Sequence, residues 1–183
     1  MKSYFLLFTL LSISCIAPHT TMYHPVSEME SLSYQKSDRK IYPNDVRVNL
    51  KAYKEKMVAW PGVIKAGHLV YSDSTPQIHL VVQHHYYDWL EDYSIQREIF
   101  FLSPRGEGKI TTNWPLKRAF DSVTINKAMA PGNMVIIYGF PYDIVDDSII
   151  VVKSTYIRGI DKQWFRTDIM DYSREGEPFR LLK

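Results

Sequence analysis

Cysteine is all but absent: the chain of 183 residues holds one, Cys15. No internal disulfide can form, so the fold has to rest on a packed core. An excess of one charge is missing too, with 22 Lys and Arg against 20 Asp and Glu. That balance argues against a polyanion as main partner, and no nucleic acid is expected. Long hydrophobic runs are also lacking. The apolar stretch Tyr4 to Leu11 falls short of the roughly 20 residues a spanning helix needs, and no later segment comes closer. Apolar side chains at 45% and aromatics at 14% are plentiful. They exclude overall disorder and collagen-like repeats, lean toward β-structure, and with this length imply one domain.

Lys2, the run Tyr4 to Leu11 and Ser12-Ile13-Ser14 read as a secretory signal with a positive start, a short apolar core and small residues at its end. The single cysteine follows at once, where a bacterial lipoprotein signal carries the residue that becomes the lipidated first residue of the mature chain. Ser14 suits the small residue wanted before it, whereas Ser12 stands where Leu is usual and Leu11 comes one place early. The other reading is a simple cleaved signal with a cysteine in its tail. Residues 1–14 are therefore expected to be a lipoprotein signal peptide and Cys15 its lipidation site. Two or three fatty acyl chains such as palmitate, at about 0.8 kcal/mol per buried CH₂, would hold the protein to a membrane. Ile16 rather than Asp follows the cysteine, which points to the outer membrane. Residues 15–45 mix Pro, Ser, Thr, His and Tyr without a sustained period. They are expected to form a flexible tether of roughly 30 Å.

Residues 46–170 carry the folded pattern. Asn44-Asp45 before Val46, Leu50 and Tyr53 predicts a short capped helix serving as a lid or plug. Met57 to Trp60 and Val63-Ile64 read as a strand interrupted by Pro61-Gly62, a bulge or an edge. Gln77 to Tyr87 predicts its hairpin partner, with turn chemistry over Gly67 to Thr75. Glu98 to Leu102 continues the pattern, and Ser103 to Gly108 is a loop. Lys109 to Ala130 contains Trp114-Pro115 and a short helix from Leu116. Met134 to Phe140 is a buried strand, Asp143 to Asp147 a turn, and Ser148 to Ile157 a β-branched strand. Residues 171–183 form a polar tail. Five or six short strands, no βαβ alternation and one short N-terminal helix predict a mainly β fold, a small OB-like barrel.

A lipoprotein-type signal, a short segment ending in Tyr53-Lys54 and the strand Val58-Ala59-Trp60-Pro61-Gly62-Val63-Ile64 resemble the Slp family of starvation-inducible outer-membrane lipoproteins. So do Pro131-Gly132-Asn133-Met134-Val135-Ile136-Ile137-Tyr138-Gly139, the Asp-rich turn, a strand ending near Tyr156 and the closing Trp164. The resemblance spans most of residues 50 to 166. The chain departs from the family at Pro61, where Gly is usual, and in the stretch between Leu102 and Pro131. It implies a lipid-anchored envelope protein with an OB-like barrel, no enzymatic activity, and no catalytic residues to carry over.

Tyr86-Tyr87-Asp88-Trp89 with Tyr93 forms a dense aromatic patch, the kind of surface on which a glycan or an envelope protein stacks, and core packing is the competing reading. On a strand, His79, Val81, Gln83 and His85 share one face, and Ile78, Leu80, Val82 and His84 share the inward one. His79 and His85 would be about 20 Å apart at a 3.3 Å rise, too far for one zinc. A metal-dependent hydrolase would need His84, His85 and Asp88 together. Solvent-facing histidines are the simpler reading. Asp143, Asp146 and Asp147 lack the glycine and terminal Glu of a calcium loop. No nucleophile motif or phosphate loop is present, so no catalytic residue, metal or cofactor is expected. The alternative to a tethered envelope protein is a soluble periplasmic or secreted OB-like module that binds an oligosaccharide or a peptide.

Overall fold

The computed structural model describes residues 23–72, 75–87, 89, 100–116, 122–162 and 165–166. In chain order the elements are α1 (Glu28–Lys36), α2 (Pro43–Val48), α3 (Leu50–Tyr53), β1 (Val58–Ser72), β2 (Thr75–His84), β3 (Phe100–Phe101), β4 (Lys109–Pro115), α4 (Ser122–Ala128), β5 (Met134–Val145), β6 (Ile149–Ile160) and β7 (Phe165–Arg166). Five strands close a barrel in the order β1-β2-β4-β6-β5, and β3 pairs with β7 beside it. The β4–β6 contact is parallel and the other four are antiparallel. With a helix between β4 and β5, this is the OB type of Greek-key barrel.

Two-residue alternation builds the interior. Val58, Trp60 and Ile64 of β1, Ile78, Leu80 and Val82 of β2, Ile110 of β4, Val135 and Ile137 of β5, and Ile150 and Val152 of β6 make one core. The Trp60 ring lies inside, and its indole N–H donates to the Ile41 carbonyl at 2.8 Å. Pro61 pairs with Ile136 inside the sheet rather than on an edge. Its carbonyl accepts from His85 N–H at 3.1 Å, and the register shift comes later, between Ile64 and Ala66. At Gly62 a Cβ would lie 2.3 Å from the Gln83 carbonyl oxygen, so the β1–β2 approach requires glycine there.

Helices plug the barrel at both ends. Val46 of α2, with Ile41, joins the core from the end where β2 finishes and β6 begins, as the sequence pattern predicts for a plug. Ile125 and Met129 of the α4 segment join it from the other end. Buried Asn133 closes α4 by donating to the Lys127 carbonyl at 2.7 Å.

Two expectations need correction. Residues 23–45 are not a tether: Tyr23 is 3% exposed, Glu30 is fully buried, and α1 packs on β5 and β6. The folded unit therefore begins well before residue 46. Four short helices lie among the described residues: α2 and α3, capped at Tyr42 and Asn49 rather than at Asn44 or Asp45, stand where one N-terminal helix was expected, α4 follows Leu116, and α1 lies where a tether was expected. The stretch Lys109 to Ala130 holds a full barrel strand, β4, before its helix. Residues 1–22 and 171–183, the predicted signal and tail among them, lie outside the described residues.

Candidate functional site

Sequence density alone does not say which way the aromatic patch faces, and the structure splits it. Tyr87 and Trp89 are 5% and 7% exposed, so they are core and not a stacking surface. They meet edge to face at 5.1 Å, and both meet Tyr23, at 6.0 and 5.2 Å. The reason is the outer face of β1, β5 and β6, where Ala59, Met134, Ile136, Tyr138 and Ile160 also need cover. Tyr23, α1 and the segment around Tyr87 and Phe100 supply it, which leaves β5 buried on both faces. Tyr86, one residue earlier, points the other way. Cys15 and Tyr93 lie outside the described residues, as does Asp88.

The outer layer encloses an ion pair. Arg158 Nη1 stands 3.6 Å from Glu30 Oε1, both side chains being nearly or fully buried. It also donates to the Tyr23 hydroxyl at 2.6 Å and to the His24 carbonyl at 3.3 Å. Tyr23 and Tyr138 both donate to Glu30 Oε1, Tyr138 at 3.1 Å, and Val26 N–H donates to Oε2 at 2.8 Å. The Arg158 guanidinium lies 4.6 Å from the Phe100 ring centroid and 5.1 Å from that of Tyr23. Burial above all, with Tyr138 beside it, pushes the Tyr23 hydroxyl far above the ordinary tyrosine range. Burial and then Glu30 do the same to Tyr138. Both phenols thus stay protonated donors, as the paired carboxylate requires. Spacing could not reveal this cluster, because its members come from residues 23, 30, 138 and 158.

A second cluster closes the mouth of the barrel. His84, 1% exposed, faces inward as alternation predicts. Its Nδ1 accepts from Glu107 N–H at 3.0 Å, and burial, with His85 and Arg47 adding to it, pulls its pKa down to about 3. Tyr86 donates to Glu107 Oε1 at 2.5 Å and meets His84 and Tyr42 edge to face at 5.4 and 5.2 Å. Arg47 ties α2 to this loop through the Glu107 carbonyl at 2.7 Å and to the β5–β6 turn through the Ser148 carbonyl at 2.8 Å. Gly106 is pressed on β2, where a Cβ would lie 1.8 Å from the His84 carbonyl oxygen. The hydrogen bonds of His84, Tyr86 and Arg47 fasten the loop to β2 and α2, so the cluster reads as a clasp.

The outer face of β1, β2 and β4 is different. His79 is half-buried there, with Nδ1 at 2.5 Å from Asn113 Oδ1 and Nε2 at 3.3 Å from Thr111 Oγ1. His68 is exposed and lies beside it, the ring centroids 4.8 Å apart and the planes tilted by 46°. Gln77 and Gln83 share this face by alternation, with exposed Lys109 opposite Gln83, which makes it rich in donors and acceptors. It is also the face on which OB barrels take oligonucleotides and oligosaccharides. His79 lies on the outward face, as the strand reading has it, whereas His85 falls just beyond the end of β2 and is half-buried, its Nδ1 2.8 Å from the Ser103 carbonyl oxygen.

Among the described residues no group of three or more His, Cys, Asp or Glu is placed to hold a metal ion, and no helix is long and apolar enough to cross a membrane. Asp146 and Asp147, at φ 51° and 53°, take left-handed backbone in the three-residue β5–β6 turn between paired Val145 and Ile149, where Ser148 N–H donates to the Val145 carbonyl at 3.2 Å. The class the fold defines is therefore an OB barrel wearing a second, external core. No protein-family model matches the chain, and no characterised protein does either.

Proposed function

We propose that this protein is a non-enzymatic bacterial outer-membrane lipoprotein of the Slp type, anchored through acylated Cys15 after loss of residues 1–14. Its barrel has an envelope-associated role and engages an envelope protein or glycan. The observation that carries the reading is the single cysteine in 183 residues, placed at the end of a signal-like segment. The barrel supports it as the architecture that the resemblance implies. The polar clusters described above are consumed in fastening one element to another, which favours a binding role over a catalytic one.

The test is the intact mass of the protein from native cells beside a Cys15→Ser variant, with membrane fractionation of both. A diacyl or triacyl mass on Cys15, and release of the variant from the outer-membrane fraction, is the expected result. A soluble, unmodified chain beginning elsewhere contradicts it.

The His68–His79 face favours a second reading, a soluble periplasmic or secreted OB-like module that takes an oligosaccharide or peptide through Gln77, His79, Thr111 and Asn113. Glycan and peptide screens should then give a ligand whose binding falls with His79→Ala. Blank screens count against it.

A further inference from the structure

α1 is built inside out. A surface helix ordinarily turns its apolar stripe to the core, yet the fully buried side chain of α1 is Glu30, accompanied by Ser33. Met29 and Leu32, one turn apart on the outer side, are 56% and 46% exposed, and Val26 just ahead of the Ser27 N-cap is 57% exposed. Met29 and Leu32 are about 4.5 Å apart along the axis at a 1.5 Å rise per residue, with Val26 ahead of them. Exposed Lys36 and Lys40 lie beyond its C-terminal end.

The chain ahead of this stripe limits what can cover it. Seven residues separate Cys15 from Tyr23, and over the eight steps between them, at no more than about 3.6 Å each, the two are within roughly 29 Å of each other. Tyr23 itself is fixed to the barrel, its N–H donating to the Trp89 carbonyl at 3.1 Å and its ring stacked on Tyr34 at 5.2 Å. A domain of this size measures roughly 35 Å or more across. An acyl anchor on Cys15 would therefore keep Tyr23, and with it the end of the domain carrying α1, within that reach of the bilayer.

We infer that the Val26–Met29–Leu32 stripe of α1 is a membrane-contact surface that lies on the phospholipid bilayer, seating the barrel with the outer face of β5 and β6 toward lipid and the His68–His79 face away from it. This rests on the anchor reading above. The lipid surface takes the apolar stripe at headgroup depth, and its phosphates meet Lys36 and Lys40. Glu30 and Arg158 then serve as the fastening that lets a helix bind the barrel by its polar side and lipid by its apolar side.

The test uses the acylated full chain in phospholipid vesicles, its mass confirmed first. Single thiols introduced by Met29→Cys, Leu32→Cys, Val48→Cys and Tyr71→Cys, with the Cys15 thiol taken up by the anchor, carry a fluorophore read against a lipid-borne nitroxide. Quenching several-fold stronger at 29 and 32 than at 48 and 71 is expected. Equal quenching at all four sites, on protein shown to be acylated, overturns the orientation and leaves the anchor intact. Shielding at 29 that depends on protein concentration, without lipid quenching, also overturns it in favour of a second copy. An unacylated mass removes the anchor, and the orientation falls with it.

Discussion

Inside the barrel the buried side chains are almost all aliphatic, met from strands whose alternation is regular, and Trp60 is the one large ring among them. The layer outside β5 is made of Tyr23, Tyr87, Trp89, Phe100 and Tyr138, with a charged pair at its centre. The first core is closed by backbone ladders all the way round. The second is closed mainly by side chains of α1, the chain entry and the segment around Tyr87 and Phe100, with only scattered backbone bonds such as Tyr23 N–H to the Trp89 carbonyl and the Tyr87–Leu102 bridge. An aliphatic core tolerates slight repacking, whereas a buried ion pair is satisfied in one arrangement only and fixes where α1 lies. The barrel supplies stability, and the outer layer supplies a defined orientation for the N-terminal segment.

Removing one member of the pair gives the largest expected effect on that contrast. Arg158→Ala leaves Glu30 buried without its partner and should cost about 3–5 kcal/mol in denaturant unfolding. The double variant Glu30→Leu with Arg158→Met should lose less than either single change. A loss under about 1 kcal/mol for Arg158→Ala would mean that the outer layer is not held by the pair.

Acid should attack the inner barrel at its mouth. His84 has its pKa lowered to about 3 from an ordinary value near 6.5, so between those limits the unfolded chain takes up a proton that the folded chain refuses. Its contribution is intact above pH 6.5 and is lost as pH falls, by roughly 1 kcal/mol per pH unit. Burial lowers His85 as well, in the same direction. His84→Asn, whose Oδ1 can still accept from Glu107 N–H, should flatten the fall of Tm between pH 6.5 and 4. An unchanged slope would remove His84 from the account.

Smaller effects sharpen the same contrast. Tyr138→Phe removes one donor to Glu30 and should cost about 2 kcal/mol with the barrel ladders undisturbed. Ser27→Ala removes the side chain that accepts from Glu30 N–H at 3.1 Å. It should cost about 1 kcal/mol and loosen α1 alone, read by exchange of its amides.

The inner core was largely legible because its strands keep period two. The pattern over Gln77 to Tyr87 placed His84 inward, and Met134 to Phe140 read as buried because β5 is covered on both faces. β4 was hidden because its inward positions are Ile110, Thr112 and Trp114. The middle one is polar, its hydroxyl donating to the Val152 carbonyl at 2.7 Å inside the barrel. The outer core was hidden for a stronger reason. α1 buries Glu and Ser and exposes Met and Leu, the inverse of the rule by which helices are recognised. Tyr87 and Trp89 were seen as aromatic density, but their cover, Tyr23 and Tyr34, lies more than fifty residues earlier. Nothing local to residues 86–93 tells a covered face from an open one.

Native-state hydrogen exchange tests most directly whether the two cores are separate units. Amides of α1, such as that of Ser31, are expected to exchange through an opening of lower free energy than those of Ile136 and Ile137 in β5, with Arg158→Ala lowering the first without removing the second. Equal opening free energies in α1 and β5, falling together in the variant, would contradict it and make the barrel and its outer layer one cooperative core.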